Sequence, residues 1–308
     1  MKKVTIIVPC YNESASLPML SAALQQLMDS QTAYEWEVLF VNDGSHDLTL
    51  EMIKSLREAD KRFCYIDLSR NFGKENAMLA GLDYATGDCA VIMDADMQHP
   101  PTLVPTMLAK WEEGYDDVYA RRTFRERESW MRRTLTRVYY KLLQRTTRFD
   151  ILPNVGDFRL LDRKCVDALK QLRETQRYTK GLFCWIGFRK IEVEFEHHDR
   201  AAGKSSFSYS QLFNLALDGI TSYTTAPLRI STVMGIVISI LAFFYMIFIV
   251  VKALVIGEPV QGFPTLMTAI LLLGGLQLFS LGIIGEYLGR IFHETKNRPV
   301  YIAREVVL

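Results

Sequence analysis

The sequence predicts an α/β domain with a mostly parallel sheet, followed by interfacial helices and a two-helix transmembrane hairpin. Three observations carry that prediction. Short apolar runs alternate with helix-length segments through the first third of the chain, polar residues collect just after each run, and two long uncharged stretches lie near the end. Alternation of this kind is the pattern of parallel strands joined by crossover helices.

The elements follow in order. Met1-Lys2-Lys3 leads straight into a strand over Val4–Pro9, with no apolar segment of signal-peptide length ahead of it. Further strand-type runs are Glu37–Val41, Phe63–Leu68 and Cys89–Met93, and the segments Ser14–Asp29, Leu48–Asp60 and Lys74–Thr86 between them have helical length. After the strands come Tyr11-Asn12-Glu13, Asn42-Asp43-Gly44-Ser45, Arg70-Asn71 and Asp94-Ala95-Asp96. Open α/β sheets bind ligands outside the carboxyl ends of their strands, so these four clusters should converge on one crevice. Asp94 and Asp96 stand two apart, and an extended backbone would point both side chains the same way. Two such carboxylates repel each other unless a cation or base offsets them. As hard oxygen ligands they suit a divalent cation shared with a substrate phosphate.

Residues 1–200 should form the catalytic domain. Between Arg121 and Arg148 basic residues far outnumber acidic ones, although the formal net charge of the 308 residues is only +1. A local basic face of this kind wants anionic partners, and the balanced total gives no argument for nucleic acid. Within residues 128–148, Trp130, Met131, Leu135 and Tyr139 interleave with the arginines, which reads as a helix lying on anionic headgroups. Residues 201–228 form a second juxtamembrane amphipathic segment. The hairpin occupies residues 229–288, with spans at about 230–251 and 266–286; about 22 helical residues rise about 33 Å, enough to cross a hydrocarbon core. Gly274, Gly275 and Gly282 would permit close helix packing and self-association. The tail, 289–308, is basic while the connecting loop carries only Lys252, which puts both termini in the cytoplasm of a multi-pass protein. A cation site fixed to a bilayer suggests an enzyme joining a water-soluble nucleotide substrate to a lipid one.

Other chemistries lack their signatures. The five cysteines are scattered without metal-ligand or disulfide spacing. Ala201-Ala202-Gly203-Lys204-Ser205 ends like a phosphate-binding loop, but His198 stands where its first glycine is required. No glycine-rich dinucleotide fingerprint follows the first strand either.

At Val8-Pro9-Cys10-Tyr11-Asn12-Glu13, Val41-Asn42-Asp43-Gly44-Ser45, Asn71-Phe72-Gly73-Lys74, Asp94-Ala95-Asp96-Met97-Gln98 and Val155-Gly156-Asp157-Phe158-Arg159-Leu160, the chain strongly resembles family 2 glycosyltransferases. With the terminal hairpin it is similar to the polyprenyl-phosphate branch, which includes bactoprenol glucosyl transferases and dolichol-phosphate mannose synthases. The resemblance implies a GT-A nucleotide-sugar-binding domain. Pro9, Tyr11, Asn12, Glu13, Asp43 and Lys74, with Asp94, would hold a UDP-sugar. Asp94, Asp96 and Gln98 would bind Mg²⁺ or Mn²⁺ against the diphosphate. Asp157, on the acceptor side, would be a base or an orienting carboxylate, with Asp96 the second catalytic carboxylate. Arg121, Arg122, Arg132, Arg133, Lys204 and Ser205 would receive the lipid phosphate.

The implied reaction is metal-dependent, inverting transfer of a hexose to a polyprenyl phosphate such as undecaprenyl phosphate, with glucose from UDP-glucose favoured, for cell-envelope glycan modification. UDP-N-acetylglucosamine, an amino-arabinose donor and GDP-mannose remain alternatives. A processive synthase would carry a Gln-x-x-Arg-Trp motif, which is missing here. A non-enzymatic membrane adaptor would not need Asp94, Asp96 and the Asn12/Asp43 crevice together.

Overall fold

The structure, a computed structural model, describes residues 1–122, 144, 155–175, 177–195, 226–256 and 262–308. The chain divides into two units, Met1–Phe213 with Arg298–Leu308, and Asn214–Asn297.

The first unit is built on an eight-stranded sheet. Its strands are β1 (Lys2–Cys10), β2 (Tyr34–Asn42), β3 (Phe63–Leu68), β4 (Cys89–Ile92), β5 (Asp117–Arg122), β6 (Val155–Asp162), β7 (Lys190–Phe195) and β8 (Ala303–Val307). They lie in the order β7-β5-β6-β4-β1-β2-β3-β8. The four central strands, β4-β1-β2-β3, run parallel, as the alternating pattern requires. Val4, Ile6, Ile7 and Val8 on β1 are fully buried, which is how a parallel strand covered on both faces reads in sequence. Helix α1 (Leu17–Ser30) buries Leu17, Leu20, Leu24, Leu27 and Met28, a single helical stripe. Helices α2 (Thr49–Ala59) and α3 (Lys74–Tyr84) complete the crossovers. Gly81 lets α3 press on the sheet, because a Cβ there would run into the Ile7 side chain.

Register levels the strand ends that matter. Cys10 lies beside Asn42, Asn42 beside Asp67, and Ile7 beside Ile92. The segments after β1, β2, β3 and β4 therefore leave the sheet along one edge, which is the crevice expected from the sequence.

Beyond β4 the structure adds what the alternation did not reveal. Helix α4 (Val104–Glu112) packs on the sheet, β6 runs antiparallel to β4 and β5, and β7 pairs parallel with β5. Helices α5 (Arg163–Gln171) and α6 (Thr179–Trp185) follow β6. The terminal segment, expected as a basic tail from residue 289, is divided: a helix continues to Thr295, and Ala303–Val307 adds β8 antiparallel to β3. The strand reads Ala303-Arg304-Glu305-Val306-Val307, five residues without apolar alternation, too weak a pattern to find without the partner.

The second unit holds two long helices, α7 (Ala226–Ile256) and α8 (Phe263–Thr295), each extending past the spans expected from hydropathy. Large apolar side chains, Val237, Leu241 and Phe244 on α7 and Leu272, Leu278 and Leu281 on α8, stand exposed. Among the described residues, Leu272–Thr295 forms one helical stretch long and apolar enough to cross a bilayer, with mean hydropathy 1.3. The expected interfacial helix 128–148, apart from residue 144, and nearly all of the segment 201–228 lie outside the described residues.

Candidate active site

Four loops build the site. The first two are tied to each other: the Asn12 amide donates to Ser45 Oγ at 3.0 Å, and Asn12 Oδ1 accepts from the His46 amide at 2.9 Å. Beside them the Glu13 amide donates to Thr49 Oγ1 at 2.8 Å, and the Glu13 carboxylate accepts from Ser16 Oγ at 2.6 Å. Asn12 takes a left-handed backbone, φ 56°, a conformation asparagine tolerates better than most residues. Tyr11 is exposed on this loop, its ring edge-on to His46 at 6.4 Å. Pro9 is half-buried at the end of β1.

Asp43 faces inward. It is 3 % exposed, and its two oxygens accept the Phe72 and Gly73 amides at 2.7 and 3.0 Å. Burial raises its carboxyl and the two amides oppose that rise. Asp43 thus fastens the loop after β3 to the loop after β2. Gly44 between them has φ +65°, and a Cβ there would lie 2.5 Å from the Arg70 carbonyl carbon and the Asn71 nitrogen. Only glycine fits that crossing.

The acidic cluster departs from its expected geometry. Strand β4 ends at Ile92, so Asp94 and Asp96 sit beyond the extended backbone that would have aligned them. Asp96 belongs instead to a tight turn through Met97, which has φ 61°. The turn folds Gln98 back onto Asp96: the Gln98 amide donates to Asp96 Oδ1 at 3.1 Å and Gln98 Nε2 to Asp96 Oδ2 at 2.5 Å. A left-handed methionine costs about 1–2 kcal/mol, and such residues cluster at functional sites. Behind the turn, buried His99 accepts the Asp94 amide on Nδ1 at 3.2 Å and stacks on Phe158 at 4.9 Å.

Lys74, at the start of α3, joins this cluster to β6. Its Nζ lies 2.6 Å from Asp94 Oδ1 and 2.8 Å from Asp157 Oδ2. Asp157 is 8 % exposed. Burial alone would raise its carboxyl; Lys74, with help from Lys180 and Arg159, outweighs burial and holds it well below the usual carboxylate range. The Lys74 ammonium is itself held charged: burial works against it, and Asp157 and Asp94 outweigh the burial. Glu75 lies alongside, accepting the Thr179 amide at 3.2 Å, and burial followed by the Asp157 charge pushes its carboxyl up. Three buried polar atoms in this region, Asp157 Oδ1, Thr179 Oγ1 and Asn76 Oδ1, have no hydrogen-bond partner among the described residues. Buried groups left in that state are uncommon and call for a ligand or an ordered water.

Arg159, two residues past Asp157, is fully enclosed. It pairs with buried Asp117 at 3.0 Å and stacks its guanidinium 3.6 Å from the Phe183 ring centroid. That pair fixes β6 beside β5, and so fixes where Asp157 projects.

The predicted residues thus fall into three sets. Pro9, Tyr11, Asn12, Glu13 and Asp43 share the loops after β1 and β2, and Lys74, Asp94, Asp96, Gln98 and Asp157 form the charged cluster. Of the set expected to bind the lipid phosphate, Arg121 and Arg122 are among the described residues. Arg121 on β5 is paired with Glu192 at 2.9 Å, Arg122 follows it on the same strand, and Arg132, Arg133, Lys204 and Ser205 lie outside the described residues. Sequence reasoning missed Glu75, His99 and Thr179. His99 directly follows the acidic motif, but Thr179 carries no local signal at all.

Among the described residues no group of three or more His, Cys, Asp or Glu side chains stands ready to enclose a metal ion. The donors present nonetheless suit a hard divalent cation that is also held by a substrate: carboxylates from Asp94 and Asp96, an amide from Gln98, and an orphaned Asp157 oxygen nearby.

Comparison with known proteins bears on all of this. Residues 5–170 match Glycosyl transferase family 2, and residues 226–291 match the GtrB C-terminal hairpin. An uncharacterized glycosyltransferase of Synechocystis is 44 % identical over 99 % of this chain and 95 % of its own. A prophage-derived bactoprenol glucosyl transferase of Shigella flexneri is 40 % identical over 98 % of both chains. A prophage bactoprenol glucosyl transferase homolog of Escherichia coli is 39 % identical over 99 % of both. Among solved structures, a glucosyl-3-phosphoglycerate synthase from Mycobacterium tuberculosis aligns at TM-score 0.47 and 16 % identity, over 71 % of this chain and 78 % of that one.

Proposed function

The chain belongs to glycosyl transferase family 2, and from that premise we propose that it transfers a hexose from a nucleotide-sugar to a polyprenyl phosphate at a membrane. Two of the relatives above are named for glucosyl transfer involving bactoprenol. In the finer reading the donor is UDP-glucose, the acceptor is undecaprenyl phosphate, and the reaction inverts the anomeric centre. The observation that carries the proposal is the single charged cluster in which Lys74 links Asp94, beside the Asp96-Gln98 turn, to the enclosed Asp157.

The loops after β1 and β2 hold the nucleoside, with Tyr11 exposed to cover a base and Asn12 and Glu13 fixed in place below it. Asp94, Asp96 and Gln98 would hold Mg²⁺ or Mn²⁺, which when bound would offset charge on the departing diphosphate as a Lewis acid. Lys74 holds positive charge between the donor and acceptor sides. The nucleophile is a phosphate oxygen, and a phosphate monoester with a second pKa of about 6 is largely ionised at neutral pH. Removing a proton is therefore not the main barrier. Asp157, held ionised and of low basicity by Lys74, acts chiefly by orienting the sugar and acceptor. Positioning of two anions supplies most of the rate, and the basic residues Arg121, Arg122, Arg132, Arg133 and Lys204, with the Ser205 hydroxyl, are the proposed contacts for the lipid phosphate.

Helices α7 and α8 form the membrane anchor in this reading. Residues on both sides of the hairpin belong to the catalytic unit, which supports an even number of crossings in this reading, and the basic residues after α8 support cytoplasmic termini.

The test is transfer of radiolabel from UDP-glucose to undecaprenyl phosphate by purified protein with Mg²⁺ or Mn²⁺. EDTA and Asp96→Ala serve as controls, and UDP-N-acetylglucosamine runs in parallel. Metal-dependent label in the lipid phase, lost in the variant, is the expected result. Turnover of donor to free sugar with no lipid product would reject the acceptor.

A further inference from the structure

The C-terminal strand β8 sits at the sheet edge, yet its contacts lead inward to the loop that carries Ser45. Asp67, near the end of β3, is 2 % exposed, and Asn42, beside it on β2, is 1 % exposed. The cation facing Asp67 comes from β8: Arg304 Nη1 lies 3.3 Å from Asp67 Oδ2, and Arg304 Nη2 donates to the Ser69 carbonyl at 3.0 Å. The Ser69 amide in turn donates to the Ile302 carbonyl at 2.9 Å. Asp67 Oδ1 accepts Asn42 Nδ2 at 2.7 Å. That bond fixes which way the Asn42 amide points, because a flipped amide would present its oxygen to the carboxylate. With its nitrogen committed, Asn42 Oδ1 accepts the Ser45 amide at 3.3 Å, and Ser45 Oγ accepts the Asn12 amide at 3.0 Å. Arg304, Asp67, Asn42, Ser45 and Asn12 therefore form one continuous run of polar contacts from the last strand to the first loop.

We propose that Arg304 is a positioning residue for the nucleotide-sugar donor. By holding Asp67 it orients Asn42, and through Asn42 it sets the clasp between the loops after β1 and β2. The role as a donor site rests on the function proposed above; the run of contacts itself does not. Arg304 touches no reacting group, so its removal should loosen donor binding and leave turnover at saturation nearly unchanged. The carboxyl-terminal strand thereby makes the segment that follows the hairpin part of the donor site rather than a trailing end.

The experiment uses the full chain in detergent, comparing Arg304→Ala, Arg304→Lys and a control, Arg57→Ala. Arg57 Nη2 donates to the Leu308 carbonyl at 2.7 Å and Nη1 to the Phe63 carbonyl at 3.2 Å, so the control loosens the other end of β8 and the start of β3 without removing a contact to Asp67. Loss of one charged, partly exposed contact should raise the donor KM about 5-fold in Arg304→Ala, with kcat within about 2-fold and partial rescue by Arg304→Lys. Hydrogen exchange at the Asn12, Ser45 and His46 amides should quicken in Arg304→Ala and stay as in the unaltered protein in Arg57→Ala. Unchanged exchange at those amides in Arg304→Ala would overturn the relay, whatever the substrate proves to be. Faster exchange with an unchanged donor KM would overturn the positioning role. An equal KM rise in Arg57→Ala would reduce the effect to anchoring of the strand. If the unaltered protein neither binds nor turns over a UDP-sugar, the proposed function fails, while the exchange data still judge the relay.

Discussion

Replacing Lys74 with methionine removes the ammonium between Asp94 and Asp157 while keeping most of the side-chain volume. Taking one partner from a buried ion pair costs about 3–5 kcal/mol. Lys74 is 44 % exposed at its side chain, so solvent screening reduces this to about 2 kcal/mol. For a domain of this size that lowers Tm by about 4–8 °C. The pH dependence gives the sharper test. In the unaltered protein the folded Asp157 carboxyl is depressed, to about 2, so its contribution is present above the ordinary carboxylate value and is lost as pH falls towards the depressed one. In the variant burial is no longer opposed by the nearest cation, and the folded carboxyl rises. The deficit of Lys74→Met should then be full at pH 7 and shrink as pH falls to 5 and below, where the variant's carboxyl takes up a proton. Thermal melts of both proteins in detergent at pH 7, 6 and 5 measure this. A Tm deficit that stays constant or grows towards pH 5 would show that Lys74 does not set the Asp157 charge.

Further expectations follow from neighbouring contacts. Asp157→Asn should lose activity by more than about 100-fold at every pH if the carboxylate orients the sugar and acceptor; recovery at high pH would identify it as a simple base. Asp96→Ala should abolish EDTA-sensitive transfer and weaken Mn²⁺ binding followed by electron paramagnetic resonance, and unchanged Mn²⁺ affinity would remove Asp96 from the ligand set. Gly44→Ala places a Cβ against the Arg70–Asn71 backbone at φ +65° and should cost about 1–3 kcal/mol of stability, read by thermal melts, with a raised donor KM. Protein carrying α7 and α8 should stay in the membrane pellet after alkaline carbonate extraction; release into the supernatant would contradict the membrane-anchor reading.

Some of this molecule is written locally. The runs that became β1 to β4 and the helical stripes between them are set by near-neighbour spacing of apolar residues, so the parallel core and its crevice could be read from the chain. The two long apolar helices were equally plain, since only composition over a short window is involved. The residue types at the site, Asn12, Asp43, Asp94, Asp96 and Asp157, also follow from motifs that each span a few positions. Tertiary structure decided how those types are used. Asp43 offered itself as a nucleotide ligand, and the assembled loops add a second use, its oxygens accepting the Phe72 and Gly73 amides. Asp94 and Asp96 looked aligned by a strand, but the strand stops at Ile92, and the left-handed Met97 folds Gln98 back onto Asp96. Arg159 stood in the Val155–Leu160 motif without a role of its own until its buried partner Asp117 came beside it from another strand. The strands β5 to β8 escaped detection because strand preference depends on the neighbours that the assembled sheet brings alongside. Lys74 meets Asp157 across 83 positions and Arg304 meets Asp67 across 237. Contacts at such separations are fixed by which strands pair, and strand pairing is a property of the assembled sheet rather than of any segment in it.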